Sequence, residues 1–256
     1  MTTLEAGWLG HTVSMHTAQA PVQLNIDLGE LEAEPEALYV AAHLANVACG
    51  GHAGTRASMR RAIALCQQWD CALGAHPAFP DRENFGRRHV RLPMEVLEHS
   101  LREQLQSLKS LADEAGVPLL ACKAHGALYH AADGNEALAR LFCGLSLEVL
   151  GPEIVILGPE QGLLQESAEA LGLAFWVEGF ADRGRLRQCD GRWALIPRSK
   201  EGALLEDEWA VQAQVQELLA EGRCQTLCVH GDSSQALAIA QAVRQSLDAW
   251  NAGLCA

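Results

Sequence analysis

The sequence is poor in positive charge. Its 256 residues include 19 Lys and Arg against 32 Asp and Glu, and the net charge is −13 at pH 7. Nucleic-acid surfaces need clustered basic side chains to neutralise phosphates. The basic residues that do cluster, Arg82, Arg87, Arg88 and Arg91, are too few to line a groove. The composition therefore argues against a nucleic-acid partner.

Long apolar runs are also missing. None approaches the roughly 20 residues that a transmembrane helix requires, so we predict no membrane segment. Residues 1–20 contain no Lys or Arg and no continuous apolar core, unlike a secretory signal. We predict that residues 1–20 form a poorly ordered extension and that residues 21–256 form a single domain.

The nine cysteines contain no Cys-x-x-Cys pair, and most of them lie inside apolar runs. This odd, scattered set favours buried free thiols in a reducing compartment, and it predicts a cytoplasmic protein. Several common catalytic motifs are absent, namely GxxxxGK(S/T), GxGxxG after the first strand, HExxH and GxSxG. The chain therefore has no phosphate-binding loop of its own.

Seven short apolar runs alternate with segments of helical period. The runs span residues 22–30, 43–50, 72–77, 119–125, 153–159, 174–182 and 225–232. The helical segments span residues 56–69, 93–115, 136–147, 161–171, 208–221 and 233–250. This alternation predicts βα units around a parallel sheet.

Ionisable or amide side chains end six of the seven predicted strands. They are Asn25, Asp27 and Glu30; Asn46 and His52; His76; Lys123 and His125; Glu178 and Asp182; and His230 and Asp232. Barrel enzymes build their active sites at the C-terminal ends of several strands, whereas an open sheet gathers its ligand at one switch point. The distribution therefore predicts a closed, TIM-like (β/α) barrel of seven parallel strands.

Structural roles compete with functional ones at single positions. A buried histidine is often a hydrogen-bonded core residue, Asn25 and Asn46 could cap loops, and Asp232 could be the N-cap of the last helix. Lys123 is different, because lysine is almost never fully buried without a partner. Since Lys123 and His125 are two residues apart, we expect both to point into the barrel mouth.

Two long loops add arginines to the same end of the predicted barrel. Residues 76–88 form a loop with three arginines, and residues 179–207 form a long excursion whose Asp-Gly-Arg-Trp turn predicts a small hairpin. Arg87 and Arg198 in these loops are candidates for binding a carboxylate or phosphate group.

Seven motifs, in order, resemble those of the LamB/YcsF family. They are LNIDLGE (24–30), ANVACGGHAG (45–54), GAHPAFPD with NFGRR (74–88), KAHGALY (123–129), EGFADRG (178–184), LIPRSKEGAL (195–204) and CVHGD (228–232). The resemblance implies a seven-stranded barrel related to polysaccharide deacetylases. It also implies ATP-dependent opening of 5-oxoproline, or a related lactam, to L-glutamate by an A subunit that works with B and C partners.

The family pattern is altered around the polar groups. The family has Phe at Gly51, Asp-Pro at Thr55-Arg56, Pro at Ala124 and Asn at His130, and it has an aromatic residue near Arg185. The polar residues of the barrel mouth are retained. This combination indicates a divergent member that keeps the chemistry and acts on 5-oxoproline or on another lactam, amide or urea-like substrate.

Opening an unstrained amide requires a base for water, stabilisation of developing charge and a proton for the leaving nitrogen. The resemblance and this chemistry together predict the catalytic residues Asp27 and Glu30 as bases, Lys123 for the developing charge, and His125 and His230 as acid/base groups, with Asp232 fixing a tautomer. The predicted substrate-binding residues are Asn25, Asn46, His52, His76, Arg87, Tyr129, Glu178, Asp182 and Arg198. Gly126 is expected to let the chain turn close to the ligand.

Two other functions fit the same residues. A metal-dependent deacetylase or amidohydrolase would hold a divalent ion such as Zn²⁺ with Asp27, His52 and His76. A non-catalytic binding protein would hold 5-oxoproline or a similar acid without turnover. ATP, bound through the complex, is the cofactor predicted for the first function, and a divalent metal is the cofactor of the alternative. The sequence leaves a homo-oligomer open.

Overall fold

A computed structural model describes residues 20–189 and 193–254 of the chain. Its strands are β1 (Gln23–Leu28), β2 (Leu44–Ala48), β3 (Ala72–His76), β4 (Leu119–Lys123), β5 (Val155–Gly158), β6 (Ala174–Phe180), β7 (Arg185–Arg187), β8 (Trp193–Leu195) and β9 (Thr226–His230). Its helices are α1 (Ala37–Ala41), α2 (Arg56–Gln68), α3 (Met94–Ala115), α4 (Gly126–Asp133), α5 (Glu136–Leu150), α6 (Leu163–Ala170), α7 (Glu208–Glu221) and α8 (Ala236–Leu254). The predicted extension over residues 1–20 lies outside the described residues, apart from Ala20.

Seven parallel strands, β1 to β6 and β9, close into a barrel. Closure is made by β9, which pairs with β1 on one side and with β6 on the other. The register places Asp27 of β1 beside Asn46 of β2 and His230 of β9. The predicted seven-stranded parallel barrel is confirmed, and its closure brings polar residues from distant parts of the sequence together.

The barrel interior has an apolar layer with a polar layer above it. Leu44, Ala121 and Trp176 belong to a small hydrophobic cluster contributed by β2, β4 and β6. Two residues further along these strands, Asn46, Lys123 and Glu178 lie on the same face, because side chains alternate along a strand. The apolar layer therefore closes the floor below the polar residues, which lie toward the C-terminal ends.

The helices cover the outside of the barrel with apolar stripes. In α2 the buried Met59, Ile63 and Cys66 recur at helical spacing, and Thr55 and Ser58 form a capping box at its start. In α3 the chain ends the helix at Gly116, whose φ of 68° is a left-handed conformation. Within the described part of the chain, no helix combines the length and apolar content needed to cross a bilayer.

Three local features differ from the sequence predictions or fall partly outside the described residues. The helix α4 is not among the predicted segments; its eight residues follow β4 almost directly, and only a turn at Gly126 is expected there. Asp232 lies outside α8, which begins at Ala236, so the N-cap alternative for Asp232 is wrong. The predicted hairpin is present as antiparallel β7 and β8, while residues 190–192 at its tip lie outside the described residues.

A buried acceptor histidine makes part of the stability depend on pH. His43 Nδ1 accepts a hydrogen bond from the backbone N–H of Leu24 at 2.9 Å, so this nitrogen is unprotonated in the fold. Burial, together with Arg244 and against the opposing effect of Asp248, lowers the pKa of His43 to about 4. The unfolded chain takes up the proton near pH 6.5, so falling pH favours unfolding across the interval from about 6.5 to about 4.

We expect His43→Asn to remove this contribution, because the amide oxygen of asparagine can accept the Leu24 bond but does not titrate. Urea denaturation of both proteins at pH 7 and pH 5 measures the effect. The wild-type chain should lose more of its unfolding free energy between the two pH values than the variant does. Equal losses would show that His43 is not the group responsible.

Candidate active site

The centre of the polar layer is the ammonium group of Lys123. Its side chain is 2% exposed, and Nζ lies 2.9 Å from Asp27 Oδ1 and 2.8 Å from Glu178 Oε1. Nζ also donates to Cys228 Sγ at 3.0 Å. Burial opposes the charge, but the two carboxylates outweigh it and hold the pKa of Lys123 well above its usual value. Lys123 is therefore a permanent cation inside the barrel.

Asp27 is the carboxylate that lies between this cation and the histidines. Its Oδ1 accepts from Asn46 Nδ2 at 3.0 Å, and its Oδ2 lies 3.3 Å from His76 Nε2. Burial alone would raise the pKa of Asp27, but His76 and Lys123 hold it well below its usual value. Asp27 is therefore ionised at neutral pH and can act as a base or orient a water.

The two predicted asparagines form a hydrogen-bonded chain below Asp27. Asn46 Nδ2 donates to Asn25 Oδ1 at 2.8 Å, and Asn25 Nδ2 donates to Thr226 Oγ1 at 2.8 Å. Both asparagines are fully buried. Because the bonded residues belong to β1, β2 and β9, this row of hydrogen bonds fixes the positions of Asp27 and Lys123.

Glu178 and Tyr129 bring unsatisfied polar atoms to the same layer. The 2.8 Å contact between Lys123 and Glu178 is an ion pair by distance, but neither Glu178 oxygen has a well-aligned donor among the described residues. The buried hydroxyl of Tyr129 likewise has no well-aligned hydrogen-bond partner there. Burial raises the pKa values of both groups. Glu178 also interacts with Tyr129 and Asn25, so a polar ligand bound here would join an existing network of polar contacts.

A histidine cluster, defined as Glu30, His52, His76 and His125, lies beside Asp27. Glu30 Oε1 is 2.8 Å from His52 Nε2, 3.3 Å from His125 Nδ1 and 3.9 Å from His76 Nε2. All four ligand-type atoms lie within 4.8 Å of one another. Burial raises the pKa of Glu30 to about 8 and lowers that of His52 to about 3.

The structure does not group the three metal ligands predicted for the alternative function, a metal-dependent hydrolase, in the way that the sequence suggested. Asp27 was predicted to share a metal with His52 and His76. In the structure Asp27 Oδ1 pairs with Lys123, and the four-membered cluster contains Glu30 and His125 in its place. Asp27 belongs to a second group of potential metal ligands, together with Cys228 and His230.

His230 at the end of β9 is oriented by Asp182. Its Nδ1 lies 3.0 Å from both carboxylate oxygens of Asp182, and its backbone N–H donates to Asp182 Oδ2 at 2.8 Å. The prediction that Asp232 fixes the tautomer is therefore wrong. Because Asp182 accepts from Nδ1–H, the lone pair of neutral His230 lies on Nε2, 4.0 Å from Asp27 Oδ2. His230 can therefore exchange a proton at the site.

Asp232 belongs to the rim of the site. It forms an ion pair with Arg87 and lies 4.0 Å from Arg198 Nη1. The side chains of Arg87 and Arg198 are 36% and 26% exposed, far more than the polar layer below. The structure thus brings the two predicted anion-binding arginines together around one carboxylate.

Two site residues were missed in the sequence. Cys228 was counted only as a buried thiol, although it lies two residues before His230 and therefore shares its face of β9. Phe180 is not among the predicted site residues, yet its ring centroid is 5.5 Å from Lys123 Nζ and its plane stacks on His230. The same two-residue period links Phe180 to Glu178 and would have indicated it.

Comparison with known proteins agrees with this geometry. The model of the LamB/YcsF family matches residues 22–255, nearly the whole described barrel. The chain belongs to the LamB/YcsF family. The resemblance seen in the seven motifs is thereby confirmed, and the altered positions, such as Gly51, are differences within the family. At Gly51 a side chain would collide with Gln104, which hydrogen-bonds to both backbone groups of Ala78.

Relatives and solved structures cover most of the chain. The 5-oxoprolinase A subunit of Histophilus somni is 36% identical over 238 residues, covering 88% of this chain and 94% of the relative. The protein of the same name from Neisseria meningitidis serogroup C is 36% identical, and the alignment covers 95% of its length. The crystal structure of the lactam utilization protein from Thermus thermophilus has a TM-score of 0.80 at 30% identity, covering 91% of this chain and 98% of that one.

Proposed function

We propose that this LamB/YcsF protein opens the ring of 5-oxoproline, or of a closely related lactam, to give L-glutamate or the corresponding amino acid. The observation that supports the proposal most directly is the buried Lys123 ammonium between Asp27 and Glu178. Relatives named as the A subunit of 5-oxoprolinase and as a lactam utilization protein point to the substrate class.

The polar layer contains the groups that the reaction needs. Water adds to the lactam carbonyl, the C–N bond breaks, and the leaving nitrogen takes a proton. Asp27 is ionised and can accept the proton of the water. Lys123 stabilises negative charge that develops on the carbonyl oxygen or on a phosphate attached to it. His230, held by Asp182, takes this proton from Asp27 at Nε2, which lies 4.0 Å from Asp27 Oδ2, and delivers it to the nitrogen.

The rim supports recognition of a carboxylate. Arg87 and Arg198 both approach Asp232, so their guanidinium groups are already arranged around one carboxylate. The carboxylate of 5-oxoproline would bind here in the same way. Its lactam ring would then extend toward Tyr129 and Glu178, whose polar atoms lack well-aligned partners among the described residues.

ATP and partner subunits belong to the proposal as well. An unstrained amide is a poor electrophile, so coupling to ATP is chemically reasonable, but the sequence has no phosphate-binding loop. We assign nucleotide binding to the interface with B and C subunits, and the subunit names of the relatives support such a complex. The eight described cysteines are all free thiols, which supports a cytoplasmic location.

Reconstitution tests the function. The chain is co-expressed with the B and C subunits of its source organism, and glutamate release from 5-oxoproline is measured with and without ATP. We expect ATP-dependent release, lowered about 10²–10⁴-fold by the isosteric Asp27→Asn change. Turnover without ATP would instead indicate a hydrolase of the deacetylase type. Binding of 5-oxoproline in calorimetry without turnover would indicate a non-catalytic binding protein.

A further inference from the structure

Two histidines of the cluster turn one ring nitrogen each toward the other. His76 Nδ1 lies 2.9 Å from the carbonyl oxygen of Lys123, and His125 Nε2 lies 3.0 Å from the carbonyl oxygen of Phe85. A carbonyl oxygen only accepts, so both ring nitrogens are donors. In neutral rings the remaining nitrogens, His76 Nε2 and His125 Nδ1, therefore have lone pairs. They face each other at 2.9 Å, and only a shared cation, a proton or a metal ion, makes this contact favourable.

Glu30 adds a carboxyl oxygen, which is a metal ligand once ionised, to this pair of nitrogens. Its Oε1 lies 3.3 Å from His125 Nδ1 and 3.9 Å from His76 Nε2. One ion bound at about 2.0–2.2 Å from nitrogen and oxygen ligands holds them about 3–4 Å apart. The three atoms are thus close to the spacing of ligands around one metal ion, and they need only small movements to reach it.

The orientation of His52 gives it a different role. Its ring stacks on His125 with a centroid distance of 3.6 Å and an interplanar angle of 1°. A metal lies close to the plane of each imidazole that binds it, so two parallel, stacked rings do not share one ion. His52 Nε2 instead contacts Glu30 Oε1 at 2.8 Å. A contact of this kind orients a metal ligand, while the residue that makes it does not bind the metal.

The charges of the site favour a cation at the same place. Asp27 and Glu178 already pair with Lys123. Among the described residues, Glu30 forms its close ionic contacts with histidines, which balance a buried carboxylate only when protonated. A bound cation beside Glu30 would balance it directly. The carbonyl contacts of His76 and His125 also match the way ligand histidines are usually held by their second nitrogen.

We propose that Glu30, His76 and His125 form a binding site for one divalent transition-metal ion, with His52 positioning Glu30. Two imidazoles and one carboxylate suit Zn²⁺ or Co²⁺ and leave a position open for water or a carbonyl oxygen. The site does not depend on the proposed lactam reaction, because binding can be measured without substrate, nucleotide or partner subunits.

Cobalt binding tests the site on the full chain produced without a histidine tag and stripped of metal. Co²⁺ is titrated while its visible absorption is followed, and Zn²⁺ is then added as competitor. We expect about one Co²⁺ per chain, displaced by Zn²⁺. His76→Asn, His125→Asn and the isosteric Glu30→Gln should each weaken binding at least 100-fold. His52→Asn should weaken Co²⁺ binding about 10–100-fold, as expected for a residue that orients a metal ligand without binding the metal.

Two variants separate this site from other sources of binding. His43→Asn changes a distant histidine and should bind Co²⁺ as the wild type does. His230→Gln disrupts the second group of potential ligands, Asp27, Cys228 and His230, and should also retain binding. Circular dichroism of each metal-free variant checks its fold. Absence of Co²⁺ binding at millimolar concentration by the wild type would overturn the proposal, as would unchanged binding by the folded Glu30→Gln variant.

Discussion

Replacing Lys123 by Met should abolish turnover in the reconstituted complex and also lower the free energy of unfolding by about 3–5 kcal/mol. The second effect follows from the structure, because Asp27 and Glu178 would lose the ammonium that lies 2.9 Å and 2.8 Å from their oxygens. Removing one partner of a buried ion pair leaves an uncompensated buried charge. Urea denaturation measures the stability loss, and glutamate release measures the activity.

A double variant separates the two effects. Lys123→Met combined with Glu178→Gln leaves one buried carboxylate without its ammonium instead of two, so it should recover part of the lost stability. It should not recover activity, because the cation that stabilises developing charge is still missing. A Lys123→Met variant as stable as the wild type would show that the ammonium does not balance these carboxylates. Turnover by the double variant would remove Lys123 from the mechanism.

The barrel and much of its polar layer were predictable from the sequence. Alternation along strands is a local property, so Asn25 and Asp27 of β1 could be assigned to one face without a structure. Lys123 could be singled out at its strand end because lysine is rarely buried without a partner, and in the structure its partners include Asp27 and Glu178. The identity of these partners depends on barrel closure, which places β1 and β6 on either side of β9.

The outer part of the site was less predictable because its residues lie beyond the strand ends. His125 was expected to project beside Lys123, but β4 ends at Lys123, and His125 donates its backbone N–H to Pro77 O. This bond turns His125 toward His76. The sequence does not show whether Asp182 or Asp232 is the partner of His230, because the answer depends on the paths of the loops that follow β6 and β9. Such paths depend on tertiary contacts rather than on periodicity.

The fold at the histidine cluster also depends on a close contact between two glycines. Gly126 was expected to bring the chain near a ligand. In the structure it has a φ of 56°, and a Cβ there would lie 2.7 Å from the carbonyl oxygen of Gly86. That same oxygen accepts from the N–H of Ala127 at 2.9 Å. The glycines therefore join the loop after β3 to the start of α4, and thereby hold His125 in place.

Gly86→Ala should consequently be one of the most damaging single-methyl changes in the chain. Gly86 has a φ of 64°, and the added Cβ would lie 2.8 Å from His52 Cβ and 2.9 Å from His125 Cδ2. A left-handed conformation costs a non-glycine residue about 1–2 kcal/mol, and overpacking adds about 1–3 kcal/mol. We expect both a loss of unfolding free energy and a displaced His52–His125 stack, measured by urea denaturation and by histidine ring NMR resonances.

Gly116→Ala is the matched control for this change. Its φ of 68° is nearly the same, but beyond the adjacent residues no atom lies within 4 Å of the position that its Cβ would occupy. The Gly116→Ala variant should therefore lose only the unfolding free energy due to the left-handed conformation, about 1–2 kcal/mol. Its histidine resonances should stay unchanged. The difference between the two variants isolates the cost of pushing the histidines apart. Equal stability losses with unshifted resonances in both would mean that the loop relaxes away from His52 and His125, and that Gly86 does not hold the cluster in place.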